Sequence, residues 1–259
     1  MHAPVQPEPI DPELLLLAYR AGVFPMADNR DDPEVFWVEP RLRAILPLDG
    51  FRLSHSLART LRRGRFAVTC DAAFEAVIAA CAETAPDRAE TWISARIAES
   101  YHLLNRRGLA HSIECWRDGE LVGGLYGVGF GRVFCGESMF SRASDASKVA
   151  LAWLVAALCR GGAELLDCQF MTEHLASLGA IEISQAHYLA LLRQAQAGRG
   201  DAPADGATTG GGAAVGEADG LGEGGALRAG FAALLEEAAA AGLASSPGKL
   251  IAQSLTQTS

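Results

Sequence analysis

An antiparallel meander is the feature that most constrains the fold of this chain. Its three short apolar segments lie at 111–117, 120–128 and 131–136. Asp118-Gly119 joins the first two and is a strong hairpin signal, because such turns need positive φ. A long apolar helix follows, from Ser144 or Asp145 to Cys159, and Glu164–Cys168 then has the pattern of another strand. This order predicts a mixed α/β fold, in the α+β sense, with one sheet flanked by helices.

A small module precedes this sheet. Asp11 is suited to cap a helix that has Pro12 at its first position, and short strands are predicted at 36–38 and 44–46. Ser54 is suited to cap a short basic helix, and Asp71 and Ser94 to cap two later ones. We therefore predict a small N-terminal domain at 1–53 and a larger catalytic domain at 54–196.

The composition changes after the last predicted helix. Residues 197–225 consist mostly of Gly, Ala, Asp and Thr, which cannot build a core, and we interpret them as a flexible linker. In the final segment, 226–259, the residues Ala226–Ala241 favour a helix and Ser245–Ser259 reads as a polar end. We expect a chain shortened to about residue 198 to fold and to remain active.

The charge is unevenly distributed over a chain whose net charge is −9. Residues 39–65 contain seven arginines and two acidic residues, a local excess that suits a phosphate-binding face. The six cysteines show no metal-ligand spacing, so we predict reduced thiols, a cytoplasmic protein and no metal. The apolar run Leu14–Ala18 is too short to span a membrane, and no signal peptide or membrane partner is expected.

The most polar part of an otherwise apolar region is Phe134–Ser141, which is predicted to form a strand-to-helix turn. Asp167 and Gln169 end the next strand, and side chains two residues apart on a strand share one face. We expect them to reach into one cleft with Glu137. The glycines at 123–131 precede a strand, which does not fit a dinucleotide loop, and Phe140 replaces the second glycine of a serine nucleophile elbow.

Several motifs occur together and in a fixed order. They are Tyr19-Arg20-Ala21-Gly22-Val23-Phe24-Pro25, Thr91-Trp92-Ile93, His111-Ser112-Ile113-Glu114-Cys115-Trp116, Leu121-Val122-Gly123-Gly124-Leu125-Tyr126-Gly127-Val128, Phe134-Cys135-Gly136-Glu137-Ser138-Met139-Phe140-Ser141, Ala146-Ser147-Lys148, Asp167-Cys168-Gln169 and Ser177-Leu178-Gly179-Ala180. Over 11–192, the sequence closely resembles the leucyl/phenylalanyl-tRNA–protein transferase family. The Gly/Ala-rich tail lies outside this resemblance.

The resemblance implies a GNAT-like acyltransferase domain that moves Leu or Phe from aminoacyl-tRNA to the N-terminal Arg or Lys of proteins. These proteins are thereby marked for N-end-rule degradation. It implies no cofactor. It assigns catalytic positions to Glu137, Asp167 and Gln169, and tRNA contacts to Arg59, Arg62 and Arg63. The implied substrate-binding residues are Met26, Trp92, Leu125, Met139, Ser141, Leu154 and Leu158. Met26 stands where the family often has Trp.

Two alternatives stay open from the sequence. The first is an acetyl-CoA-dependent N-acetyltransferase, which normally has a Gly-rich pyrophosphate loop opening a helix. Residues 141–147, before the long helix, have no glycine. The second is a module that binds charged tRNA or N-terminal Arg peptides without catalysis. The presence of Glu137, Asp167 and Gln169 favours an enzyme.

Overall fold

A computed structural model describes residues 8–84, 90–197 and 224–257. The chain begins with helix α1 (Pro12–Arg20), and the Asp11 side chain accepts hydrogen bonds from the N–H groups of Glu13 and Leu14. The predicted cap and N-terminal proline are therefore confirmed. Strands β1 (Phe24–Met26) and β2 (Phe36–Val38) form a separate two-stranded antiparallel sheet.

The main sheet has seven strands among the described residues. They are β3 (Leu42–Ile45), β4 (Ala67–Cys70), β5 (Ala110–Arg117), β6 (Glu120–Phe130), β7 (Val133–Ser141), β8 (Leu165–Gln169) and β9 (Ile181–Ser184). Their order is β4-β5-β6-β7-β8-β3-β9, and β7–β8 is parallel whereas the other neighbouring pairs are antiparallel. The predicted meander and mixed sheet are confirmed, but β7 continues to Ser141, so the strand-to-helix turn predicted over Phe134–Ser141 is wrong.

Helices cover both faces of this sheet. They are α2 (His55–Arg62), α3 (Phe74–Cys81), α4 (Ala95–Arg106), α5 (Ala146–Arg160), α6 (Glu173–Ser177), α7 (Gln185–Gln196), α8 (Ala226–Ala240) and α9 (Gly248–Gln257). One core cluster joins the sheet to α2, α5, α8 and α9, and the other joins it to α1, α3, α4 and α7. Helix α5 is buried along most of its length, which explains its nearly uniform apolar sequence.

Strand β3 is placed differently from the prediction. The sequence assigned 44–46 to the N-terminal module, but β3 pairs with β8 and β9 in the main sheet. Its partners lie more than 100 residues further along the chain, so local pattern could not reveal this pairing. The division into domains at residue 53 stays a prediction.

The C-terminal segment also differs from the prediction. Helix α8 is confirmed, but the expected polar end contains α9, whose Ile251, Ala252 and Leu255 are buried. Helices α5 and α8 approach so closely that a Cβ at Gly230 would overlap the carbonyl oxygen of Ala157. A chain shortened to residue 198 would expose the face of α5 around Trp153, which argues against the expectation that it folds normally. The predicted linker lies almost entirely outside the described residues.

The predicted helix caps are only partly correct. Ser54 and Ser94 cap α2 and α4 through their hydroxyl oxygens, as expected. Asp71 does not cap α3, which begins after Ala73 without a side-chain cap. The Asp71 carboxylate instead accepts hydrogen bonds from the backbone N–H of Ser112 and from Arg228 on α8. Among the residues described, no helix has the length and apolarity needed to cross a membrane.

Candidate active site

A cavity of about 580 Å³ opens where two parallel strands separate. Strands β7 and β8 pair only from Val133–Leu165 to Cys135–Asp167, and β7 then continues to Ser141 beside β6. The cavity lies beyond the last pair and is lined from both strands and from α5. Its volume falls within the range usual for small-molecule sites, so this gap between strands is a credible binding site.

The wall of the cavity is mainly apolar. Five of the seven predicted substrate-binding residues line it: Met26, Trp92, Leu125, Met139 and Leu154. Leu158 does not, because it lies one helical turn further along α5 and is buried in the core. Ser141 does not line it either, and its hydroxyl donates to the carbonyl oxygen of Ala143 and accepts from the N–H of Ser147.

Glu137 reaches the cavity because β7 contains a bulge. Tyr126 pairs with Ser138 and Gly127 with Gly136, so Glu137 is the extra residue. Its carboxylate accepts hydrogen bonds from the Tyr101 hydroxyl (2.9 Å) and from Nε2 of Gln169 (2.9 Å). Burial raises the pKa of Glu137 to about 7, although hydrogen bonds from Tyr19 and Tyr101 oppose the shift. Glu137 therefore changes charge near neutral pH.

Gln169 enters the cavity through an irregular backbone conformation. Leu166 and Cys168 line the cavity, so regular alternation along β8 would turn Asp167 and Gln169 away from it. Asp167 does point away, but φ of Gln169 is +56°, and this left-handed conformation directs its side chain back into the cavity. The structure thus brings Gln169 and Glu137 together and leaves Asp167 behind the strand, unlike the single cleft expected from the sequence.

Asp167 is fully buried in a closed network. Its two oxygens accept hydrogen bonds from Nε (2.9 Å) and Nη2 (2.5 Å) of Arg43, and the Tyr188 hydroxyl donates a third (2.9 Å). The guanidinium of Arg43 also stacks on the rings of Phe24 and Tyr188. Asp167 Oδ1 accepts from the backbone N–H of Gln169 at 2.9 Å. Asp167 therefore holds the backbone that orients Gln169.

The sequence did not single out four residues of these networks: Tyr19, Arg43, Tyr101 and Tyr188. The hydroxyls of Tyr19 and Tyr101 share a hydrogen bond behind Glu137. Tyr19 lies within one of the ordered motifs, which was a signal for it, whereas Arg43 was counted only as surface charge. The structure shows that Arg43 is not a surface charge, because it is only 1% exposed.

The predicted tRNA-binding arginines lie apart from the cavity. Arg59, Arg62 and Arg63 are exposed at and after the C-terminal half of α2. The apolar side of this helix, with Leu57 and Leu61, packs into the core. In the part of the chain that the structure describes, no group of three or more His, Cys, Asp or Glu side chains could hold a metal ion.

Comparison with known proteins decides the family. The sequence model of the leucyl/phenylalanyl-tRNA protein transferases matches residues 45–193, and the model of their N-terminal domain matches 8–41. The chain belongs to this family. A leucyl/phenylalanyl-tRNA–protein transferase of Novosphingobium aromaticivorans is 66% identical over 267 residues, covering 98% of this chain and 99% of the relative.

Two further relatives carry the same name. The one from Rhizorhabdus wittichii is 65% identical over 183 residues, which cover 71% of this chain and 74% of the relative. The one from Zymomonas mobilis is 60% identical over 186 residues, covering 72% of this chain and 69% of the relative. The Novosphingobium alignment is long enough to include α8 and α9, although the family models end at residue 193.

Proposed function

We propose that this protein is an aminoacyltransferase that moves leucine or phenylalanine from charged tRNA to the N-terminal Arg or Lys of proteins, marking them for degradation. The observation that carries the proposal is the 2.9 Å hydrogen bond between Gln169 and Glu137 at the wall of an apolar cavity. The site thus combines an apolar pocket for the donor side chain with polar groups that can bind an amine. Because charged tRNA is a cytoplasmic substrate, we place the protein in the cytoplasm.

The donor side chain fits the apolar part of the cavity. Leu125, Met139 and Leu154 offer no hydrogen-bonding group, so they favour a purely apolar side chain such as that of Leu or Phe. Met139 is unbranched and adaptable, which suits two side chains of different shape. Selection against Val or Ile depends on the shape of the pocket alone. Shape supplies a difference in binding free energy of about 1–3 kcal/mol for one methyl or methylene group.

The acceptor amine can bind beside the hydrogen-bonded pair of Gln169 and Glu137. Since Nε2 of Gln169 donates to Glu137, its Oε1 is left to accept a hydrogen bond from the amine. An α-amine has a pKa of about 7.7–8, so a useful fraction is neutral at pH 7 and no strong base is needed. Its nitrogen attacks the ester carbonyl, the ribose oxygen leaves, and the proton lost by the amine passes to that oxygen. Ionised Glu137 stabilises the positive charge that develops on the nitrogen.

Asp167 acts in this scheme as a positioning residue. It is separated from the cavity by its own strand, and its hydrogen-bonding capacity is used by Arg43, Tyr188 and the N–H of Gln169. Most of the rate enhancement then comes from orientation of the two reactants. The exposed arginines of α2 bind tRNA phosphates at a distance from the reacting atoms.

The start of α5 argues against an acetyl-CoA-dependent enzyme. A pyrophosphate needs free backbone N–H groups and positive potential at a helix N-terminus. Asp145 occupies the N-cap position of α5, with φ of +70°, and its carboxylate accepts a hydrogen bond from Thr60. A fixed carboxylate at this point repels a pyrophosphate.

The direct test uses purified protein, Leu-tRNA and a peptide that begins with Arg. We expect a peptide one leucine longer, measured by mass spectrometry, without added coenzyme or metal. The same peptide with an acetylated N-terminus should not react, because its nitrogen no longer has an available lone pair. A matched reaction with acetyl-CoA should leave the peptide unchanged.

Two outcomes would overturn the proposal. Acetylation of the peptide from acetyl-CoA, with Leu-tRNA ignored, would identify an N-acetyltransferase. Binding of both Leu-tRNA and the peptide without transfer would identify a binding module. A peptide beginning with Ala tests the acceptor preference separately, and equal transfer to it would contradict selection for Arg or Lys.

A further inference from the structure

Helix α2 depends on packing for its stability. It has eight residues, and a helix of this length is not stable by itself in water. One side carries Leu57 and Leu61, which are buried, and the other carries exposed arginines. Whatever covers the apolar side therefore determines where the arginines point.

Part of that cover comes from α9. Ile251 and Leu255 of α9 are buried in the same core cluster as Leu57 and Leu61. The two helices meet so closely that a Cβ at Gly248 would overlap the carbonyl oxygen of Leu61. Glycine is needed here for the close approach of the two backbones.

The charged side chains that helices α2 and α9 contribute to the exposed surface are all positive. Residues 52–65 contain five arginines and no acidic residue, and α9 contains Lys249 and no acidic residue. Lys249 is exposed and follows Gly248, so it begins beside Leu61 and Arg62. A cavity of about 310 Å³ between the two elements is lined by polar groups that include Arg65, Ser245 and Ser246.

We propose that α9 is part of the surface that binds the tRNA, because it holds α2 in place and adds Lys249 to the arginines. The partner is the phosphate backbone of the tRNA body, and this inference rests on the proposed function. Neither helix carries an acidic residue, which matches the negative charge of RNA, although Asp145 from the loop before α5 accepts a hydrogen bond from Thr60 of α2. The C-terminal helices thus extend the interface beyond the residues that the family models match.

The experiment compares two donors in the full-length protein. One donor is Leu-tRNA, and the other is leucine esterified to adenosine, which reaches the cavity but has no tRNA body. Lys249→Ala should weaken Leu-tRNA binding about fivefold at 0.15 M salt and reduce the log–log salt slope by about 0.7–0.9, the value for one lost phosphate contact. Transfer from leucyl-adenosine should not change.

Gly248→Val tests the positioning of α2. It should raise KM for Leu-tRNA more than Lys249→Ala does, because all the arginines of α2 are displaced, and leave transfer from leucyl-adenosine unchanged. Arg193→Ala, which removes one exposed charge from α7, is the matched control and should leave the slope unchanged.

The inference is wrong if Lys249→Ala has the same salt slope as Arg193→Ala, or if Gly248→Val reduces transfer from both donors equally. The lysine variant decides the question even if Gly248→Val does not fold. If the wild-type protein used neither donor, the proposed function would fail as well. If it used both and Lys249→Ala had no effect, this inference alone would fail.

Discussion

Glu137 and Asp167 are carboxylates on neighbouring strands, but Asp167 is buried, Glu137 is only partly buried, and their surroundings differ. Asp167 has a bidentate arginine, a tyrosine hydroxyl and a backbone N–H around it and no access to the cavity. Glu137 has two tyrosine hydroxyls and one amide as hydrogen-bond donors, all of them neutral, and it faces the cavity. A carboxylate with a full set of fixed partners stabilises structure, whereas one with few neutral partners can change its charge and bind a substrate.

The largest effect should come from breaking the closed network. Asp167→Ala leaves Arg43 buried without a counter-charge, and we expect the free energy of unfolding to fall by about 3–5 kcal/mol. Denaturant titration measures this change. The double variant Arg43→Met with Asp167→Leu should recover much of the loss, because no buried charge remains. Unchanged stability in Asp167→Ala together with lost transfer would instead give Asp167 a direct chemical role.

The carboxylate of Glu137, which faces the cavity, should make the stability of the protein depend on pH. Its pKa in the folded protein is about 7, above the ordinary value of 4.5, so folding favours the protonated form. Protonated Glu137 therefore makes its full contribution to the free energy of unfolding below about pH 4.5. That contribution, about 3 kcal/mol in total, is lost as the pH rises through 7. Glu137→Gln should remove this loss, so that the variant gains stability relative to wild type between pH 5 and 8. Parallel unfolding curves for the two proteins over that range would contradict the shift.

A matched pair of hydroxyl deletions should give the smallest effects. Tyr188→Phe removes a hydrogen bond to Asp167 and should lower stability by about 1.5–3 kcal/mol without moving the pH dependence of transfer. Tyr101→Phe removes one to Glu137 and should shift the pH dependence upward, because that hydrogen bond lowers the pKa of Glu137. The rate of transfer from Leu-tRNA, measured from pH 5.5 to 8.5, separates them. Equal shifts in both variants would contradict the separation of the two hydrogen-bond networks.

Local pattern was sufficient for most of the secondary structure. The meander and the mostly apolar α5 were predictable, because turn residues and the long apolar run mark them directly. Strand β3 was misplaced, since its pairing with β8 and β9 depends on distant residues. Helix α9 was missed although Ile251 and Leu255 have helical spacing, because a short helix with few apolar residues has a weak signal on its own.

The site could be predicted in its residue types but not in its geometry. Glu137, Gln169 and most of the apolar lining were expected near one another. Two backbone irregularities bring the polar pair together, the bulge at Glu137 and the positive φ of Gln169. Neither residue type specifies such a conformation, and regular strand alternation placed Asp167 and Gln169 on the same face. The roles of these residues stay proposals until the variants are measured.

The close packing of α5 against α8 has a consequence for synthesis on the ribosome. Helix α5 is completed more than 60 residues before α8 begins, so the face that receives Phe231 and Leu234 is uncovered while those residues are still being translated. A nascent chain with such an apolar face is open to chaperones and to association with other chains. Addition of α8 and α9 removes that face from solvent in the last stage of folding. A ribosome that stalls within the Gly/Ala-rich segment would therefore release a chain that is complete at its cavity but still aggregation-prone at α5.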